Sequence, residues 1–144
     1  MKKITLTLLL ILAFVPAALA KQYEFQHILI SNLWARPTAE KMGNSAIYLE
    51  IKNQGKKGDA LIKAETDIAT NVEIHKTVDN NGISSMVQLS KVSIPANTTV
   101  QFTPGGLHIM ILGVTSQLKD GDSFPLMLTF EHAGKIDVEV VVKK

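Results

Sequence analysis

The chain has 144 residues, 46% of them hydrophobic and 19% charged, with a formal net charge of +2 at pH 7 and no cysteine. The missing thiols exclude disulfides, thiolate metal sites, thiol redox chemistry and the blue-copper electron-transfer centre, whose metal needs a Cys ligand. With charges near balance and no basic stripe or long charged tail, nothing suggests a nucleic-acid partner.

Residues 1–20 read as a secretory signal peptide. Lys2 and Lys3 give the positive start, Ile4 to Val15 the apolar run, and Ala18-Leu19-Ala20 the small-x-small cleavage site. The apolar run is short for a membrane span of roughly 20 residues. No Cys follows the cut, so a lipid-anchored form is not expected. Residues 21–144 then form the mature chain, large enough for one domain with a proper core. Without Lys2 and Lys3 it carries 13 basic against 13 acidic residues, so the basic pI of about 8.8 belongs partly to the leader. The pattern fits a bacterial exported, periplasmic protein.

Past the leader, periodicity and β-rich composition predict strands almost throughout. Tyr23–Asn32 is the first, with Tyr23, Phe25, His27 and Leu29 on one parity, followed by Leu33–Thr38, which ends at Pro37. After a loop over Ala39–Asn44 comes a strand over Asn44–Asn53 with Ile47, Leu49 and Ile51 facing inward. Gln54–Asp59 is a polar turn. Strands follow at Ala60–Glu65, Asn71–Thr77 and Ser84–Leu89, then Val92–Ile94, Thr98–Phe102 and Leu107–Leu112. Phe124–Glu131 and Lys135–Lys143 form a last hairpin around Ala133-Gly134. Short strands punctuated by turns, with no helix longer than a turn, predict an all-β sandwich or Greek-key barrel.

The stretch with chemistry in it is Pro104-Gly105-Gly106-Leu107-His108-Ile109-Met110, a tight turn entering a strand. Side chains on a strand alternate faces. Leu107, Ile109 and Ile111 therefore point to a core, and His108 and Met110 point together the other way. An imidazole beside a thioether is half of a soft-metal site. His75 and Met86 supply the other half, across the turn-rich Val78–Gly82. A turn at Asn80-Asn81 puts His75 opposite Met86. A turn at Asn81-Gly82 puts Met86 opposite Thr77, with His75 its diagonal neighbour. Both keep His75 and Met86 on one face, whereas a three-residue loop would separate them. Met127, between Leu126 and Leu128, reads as core filler. Met42 reads as loop, Glu73 and Glu131 as solvent-facing strand charges, and His27 and His132 as non-ligands.

The full spacing is His75, ten residues, Met86, twenty-one residues, His108, one residue, Met110. With it, the chain resembles the periplasmic copper chaperone family called PCu(A)C, whose motif has an optional Met after the first His. Trp34–Thr38, Asn44–Asn53, Pro104–Gly113 and Leu118–Phe130 also read like that family's segments. The resemblance implies a cupredoxin-like Greek-key sandwich. It implies Cu(I) held by His75, Met86, His108 and Met110 and delivered to the dinuclear copper centre of cytochrome c oxidase subunit II. At the optional Met this chain has Lys76, a charge placed near the cation, and with Val140–Lys144 as its last residues a second, tail-borne copper site is not expected. Thioethers favour Cu(I) over Zn(II), imidazole tolerates either copper state, and whether Cu(II) is carried stays open. No nucleophile–base pair or carboxylate pair is visible, so a monomeric carrier is expected rather than an enzyme. The alternative is an envelope β-sandwich binding module without metal.

Overall fold

The computed structural model describes residues 21–144; the leader expected over residues 1–20 lies outside the described residues. The eleven strands are β1 (Tyr23–Phe25), β2 (Ile28–Ala35), β3 (Ser45–Asn53), β4 (Asp59–Glu65), β5 (Ala69–Asn80), β6 (Ile83–Gln88), β7 (Val92–Ile94), β8 (Thr99–Phe102), β9 (Leu107–Val114), β10 (Ser123–Phe130) and β11 (Gly134–Val142). Among the described residues there is no helix. Hydrogen bonds link the strands in the order β6-β5-β9-β8-β3-β2-β11-β10-β4-β7, with β1 on β2 and a further pairing of β9 with β3. Most pairings are antiparallel, while β11–β2 and β8–β9 are parallel. The fold is an all-β, cupredoxin-like sandwich.

One apolar cluster fills the space between the halves of this folded-over sheet. From one half it takes Ile30, Ile47, Phe102, Ile109 and Ile111, and from the other Leu61, Leu126, Leu128, Phe130 and Val138. The inward parity of β3 comes out as expected, with Ile47, Leu49 and Ile51 at most 1% exposed. Removing each such side chain from water stabilises the fold by about 1.5–3 kcal/mol. Two buried polar groups are fully engaged. Asn53 donates to the carbonyls of Lys57 and Ile94 and accepts from Gly55 N–H. Asp59 accepts from the backbone N–H groups of Ala60, His132 and Ala133 and bonds His27.

Two expectations need correction here. The strand expected over Tyr23–Asn32 is broken at Gln26-His27, where Gln26 adopts φ 53° and β1 folds back on β2 as a hairpin. Its single parity is therefore lost, and β2 instead runs on through Trp34 with a bulge at Asn32-Leu33. Met127, expected in the core, lies half-buried on the outward face of β10 against Glu65 and Asp137. The inward face there is occupied by Leu126 and Leu128, and alternation leaves Met127 no place in it.

Strand β6 is an edge strand, and every one of its residues is exposed. Ile83, Met86 and Val87 are among the large apolar side chains left in solvent. The site lies beside this edge.

Candidate metal centre

The site is assembled on three neighbouring strands, β6, β5 and β9. The β5–β6 hairpin turns at Asn81-Gly82, with φ 55° and 83°. Two positive φ values are the signature of a type I′ turn, whose twist matches that of the flanking strands. Asp79 Oδ1 accepts the Gly82 N–H at 2.8 Å and holds the turn closed. The resulting register pairs Thr77 with Met86 and His75 with Gln88. Of the registers open to the sequence, this is the one in which His75 is the diagonal neighbour of Met86.

On its other side β5 pairs with β9, and here His75 lies directly opposite His108, and Glu73 opposite Met110. The imidazole rings meet edge-on, their centroids 5.7 Å apart at 68°. Thus His75, Met86, His108 and Met110 all sit on one sheet face. An open concavity of about 390 Å³ lies over it, and Met86, His108 and Met110 are in its lining. Thr77, Ala46, Tyr48 and Arg36 complete much of the wall. Arg36 stands over the Tyr48 ring at 5.6 Å, and Trp34 packs on the same ring at 4.7 Å.

Exposure is graded across the site. His108 is buried at 4%, whereas Met86 on the edge strand is 58% exposed. The turn before β9 orients the buried histidine. Gly105, with φ 82°, closes the turn, and the Gly106 carbonyl then accepts from Thr77 N–H at 3.1 Å. The same carbonyl lies 3.0 Å from His108 Nδ1. A carbonyl only accepts, so Nδ1 carries the hydrogen and a neutral ring has its lone pair on Nε2. The glycine pair that marked this stretch in the sequence thus sets the tautomer of the histidine two residues on.

Two neighbours of His75 differ from expectation. Glu73 is not a free solvent-facing charge: its Oε2 lies 2.7 Å from His75 Nε2, and its side chain is only 20% exposed. Strand parity puts it on the site face, two residues from His75. Lys76 is exposed, but by the same parity it leaves the opposite face of β5. Its charge is therefore directed away from the side that gathers the thioethers.

His27 and His132 are brought together elsewhere, on a second concavity with Lys56 and Lys57. His27 Nε2 bonds the buried Asp59 at 2.9 Å. No thioether lines that concavity. Among the described residues no group of three His, Asp or Glu side chains is arranged to hold a metal. Met42 lies in its loop, 59% exposed, with φ 62°. Sequence reading did not single out Arg36 or Tyr48 as part of the site wall; only their place in the Trp34–Thr38 and Asn44–Asn53 segments hinted at them.

Residues 28–142 match the model of a family described as "Putative lipoprotein LpqE-like". Among curated proteins, "Putative lipoprotein Lxx21020" of Leifsonia xyli is 31% identical over 115 residues, covering 79% of this chain and 68% of that protein. The uncharacterized protein RP573 of Rickettsia prowazekii is 34% identical over 113 residues, covering 76% of this chain and 62% of that protein. Among solved structures, the copper-bound PCuAC domain from PmoF2 superposes with a TM-score of 0.73 at 21% identity, covering 85% of this chain and 97% of that one. Apo-DR1885 from Deinococcus radiodurans gives 0.64 at 21% identity, over 100% of this chain and 97% of that one. Its Cu(I) form gives 0.61 at 25% identity, over 78% and 77%. These likenesses establish a shared fold.

Proposed function

The chain belongs to the LpqE-like family, and on that premise we propose that it is an exported carrier of Cu(I). The observation that carries this reading is the gathering of two imidazoles and two thioethers on one face of β6-β5-β9. The neighbours named as copper-bound and Cu(I) forms share the fold and support the same cargo. Thioether sulfur is soft and selects Cu(I) over harder divalent ions, and imidazole adds affinity. His108 offers Nε2 from a buried, fixed ring, while Met86 stands at the exposed rim. A site with one ligand on an open edge strand can pass its ion to an approaching acceptor without unfolding.

The chemistry is ligand exchange: bonds between the ion and protein donors are traded for bonds to the acceptor's donors, and no covalent bond within the protein is made or broken. His75, Met86, His108 and Met110 hold the ion, and an incoming donor displaces Met86 first because it is the most exposed. An oxidase subunit II, receiving copper for its dinuclear centre, is the proposed recipient. The leader expected over residues 1–20, and the words "putative lipoprotein" in the descriptions of the family and of the Leifsonia relative, support an extracytoplasmic, periplasmic place of work.

Titration of the mature chain with Cu(I) under reducing conditions, against a colorimetric chelator, tests the reading. One equivalent bound by the wild type and weakened binding in a Met86→Leu/Met110→Leu double variant is the expected result. A wild type that fails to compete with the chelator points instead to an envelope binding module without metal. A double variant with wild-type affinity shows that the ligands lie elsewhere. Transfer to a soluble oxidase subunit II fragment, followed by its copper spectrum, tests the recipient.

A further inference from the structure

The site face of β5 carries more than His75. Residues Asn71, Glu73 and His75 alternate along one face of the strand, each about 6.6 Å from the next. Asn71 Nδ2 donates to Glu73 Oε1 at 2.6 Å. The other carboxylate oxygen, Oε2, lies 2.7 Å from His75 Nε2. Asn71 is itself held, because its Oδ1 accepts the Val72 N–H at 3.0 Å. The carboxylate is therefore gripped at both oxygens, by the amide on one side and the imidazole on the other.

An ionised carboxylate only accepts, so the hydrogen in the Glu73–His75 bond sits on Nε2. A neutral ring then carries its lone pair on Nδ1. That atom is buried and has no hydrogen-bond partner. Leaving a buried polar atom unsatisfied is costly, by about 1–3 kcal/mol, and such an atom beside a functional site calls for an explanation. His108 shows the opposite arrangement. Its Nδ1 donates to the Gly106 carbonyl, which leaves Nε2 for a ligand. The two facing rings thus offer unlike nitrogens.

We propose that Asn71 and Glu73 are positioning residues that present His75 to the cargo through Nδ1, opposite a His108 that presents Nε2. The inference rests on the Cu(I) reading of the site and adds the atoms through which it acts. A hydrogen bond from the non-ligating nitrogen to a carboxylate fixes tautomer and ring orientation and raises the basicity of the ligating nitrogen. Asn71 removes the remaining freedom of the carboxylate by engaging its second oxygen. The carboxylate also places one negative charge beside a site whose four donors are neutral, which favours a cation there.

Glu73→Gln is the discriminating change. Glutamine keeps the volume but offers one acceptor oxygen and one NH2 group. Asn71 and His75 both need an acceptor from it, so one of the two bonds is lost. Two-bond ¹⁵N–¹H correlation of the imidazoles in the apo protein reads the tautomers directly. Wild-type His75 is expected with hydrogen on Nε2 and His108 with hydrogen on Nδ1. In Glu73→Gln the His75 signals should move toward a tautomer mixture while those of His108 stay. Cu(I) affinity should fall by roughly 10–100-fold, the range for loss of such an outer partner, and Asn71→Ala should fall by less. Backbone amide spectra identify any variant that has lost its fold, a loss that would move His108 as well. A wild-type His75 with its hydrogen on Nδ1 overturns the inference. So does a Glu73→Gln protein with wild-type tautomer and affinity while the wild type binds Cu(I); a wild type that binds no Cu(I) sinks the Cu(I) reading itself.

Discussion

The described chain contains two pairs of histidines, and the protein treats them in opposite ways. His27 and His132 gather around a buried carboxylate. Asp59 has no exposed side-chain surface and meets four donors, from Ala60, His132, Ala133 and His27. Burial pushes its carboxyl pKa up, but the backbone bonds from His132, Ala60 and Ala133, and then the His27 bond, more than offset this, so the pKa is lowered. His75 and His108 meet each other and two thioethers, and His75 keeps one buried nitrogen without a partner. The difference lies in what each centre leaves unpaired: the Asp59 carboxylate has its donors, whereas the His75 ring keeps a buried nitrogen without one. The satisfied carboxylate serves the fold; the unfinished ring is the one proposed to take a ligand.

The comparison breaks most visibly in copper affinity. His108→Ala or the Met86→Leu/Met110→Leu double change removes proposed direct donors. Either should lower Cu(I) affinity by more than the roughly 10–100-fold expected from an outer-partner loss, measured by chelator competition. The leucines are near-isosteric, so their cost to stability should stay below about 1.5 kcal/mol. His27→Ala should leave copper affinity unchanged. If it weakens binding as much as His108→Ala, the two pairs are not distinct in role.

Next in size is the stability carried by Asp59. Asp59→Ala leaves buried N–H groups without an acceptor and should cost roughly 3 kcal/mol in denaturant unfolding at neutral pH. Its direction with pH follows from the lowered carboxyl pKa. A folded-state pKa below the unfolded value means a contribution fully present above the unfolded pKa and lost as pH falls through the folded one. The gap between wild type and Asp59→Ala should therefore narrow in acid. A gap that stays constant from neutral pH down to about pH 3, well below the ordinary unfolded Asp value of about 3.9, would remove Asp59 from the acid-sensitive groups.

Metal choice gives a smaller signal. Equimolar Zn(II) should barely displace bound Cu(I), because two of the four proposed donors are thioethers. Ready displacement would indicate a site built from imidazole and carboxylate instead. The smallest expected effect belongs to Met127→Leu, a thioether on the outward face of β10. Copper affinity should not change, and half-burial limits the stability change to about 1 kcal/mol or less. Loss of copper binding there would show that thioether content matters rather than position.

Much of this architecture was legible before folding. Strand identity followed from alternation, as in Ile47, Leu49 and Ile51, because a half-buried strand must alternate to hide one face. The same rule put His108 beside Met110. It also placed His75 on the face of Met86 for either two-residue turn. Local rules were less informative where two patterns competed. The alternation of Tyr23–Leu29 ran straight across Gln26, where a positive φ folds the chain into a hairpin. Met127 looked apolar enough for the core, but hydrophobicity does not say which parity is covered.

By itself the sequence determined the proposed donors, their soft chemistry, the strands that carry them and the pairs that share a face, since those follow from residue type and a period of two. Tertiary structure decided which strand lies beside which. The β5–β9 pairing set His75 against His108 and Glu73 against Met110, across an intervening stretch that pairs elsewhere. It also turned Glu73 from a solvent charge into the partner of His75, and drew His27, His132 and Asp59 into a single cluster. Those choices depend on long-range register, which is set when the two halves of the sheet close over one core and which no local window of sequence contains.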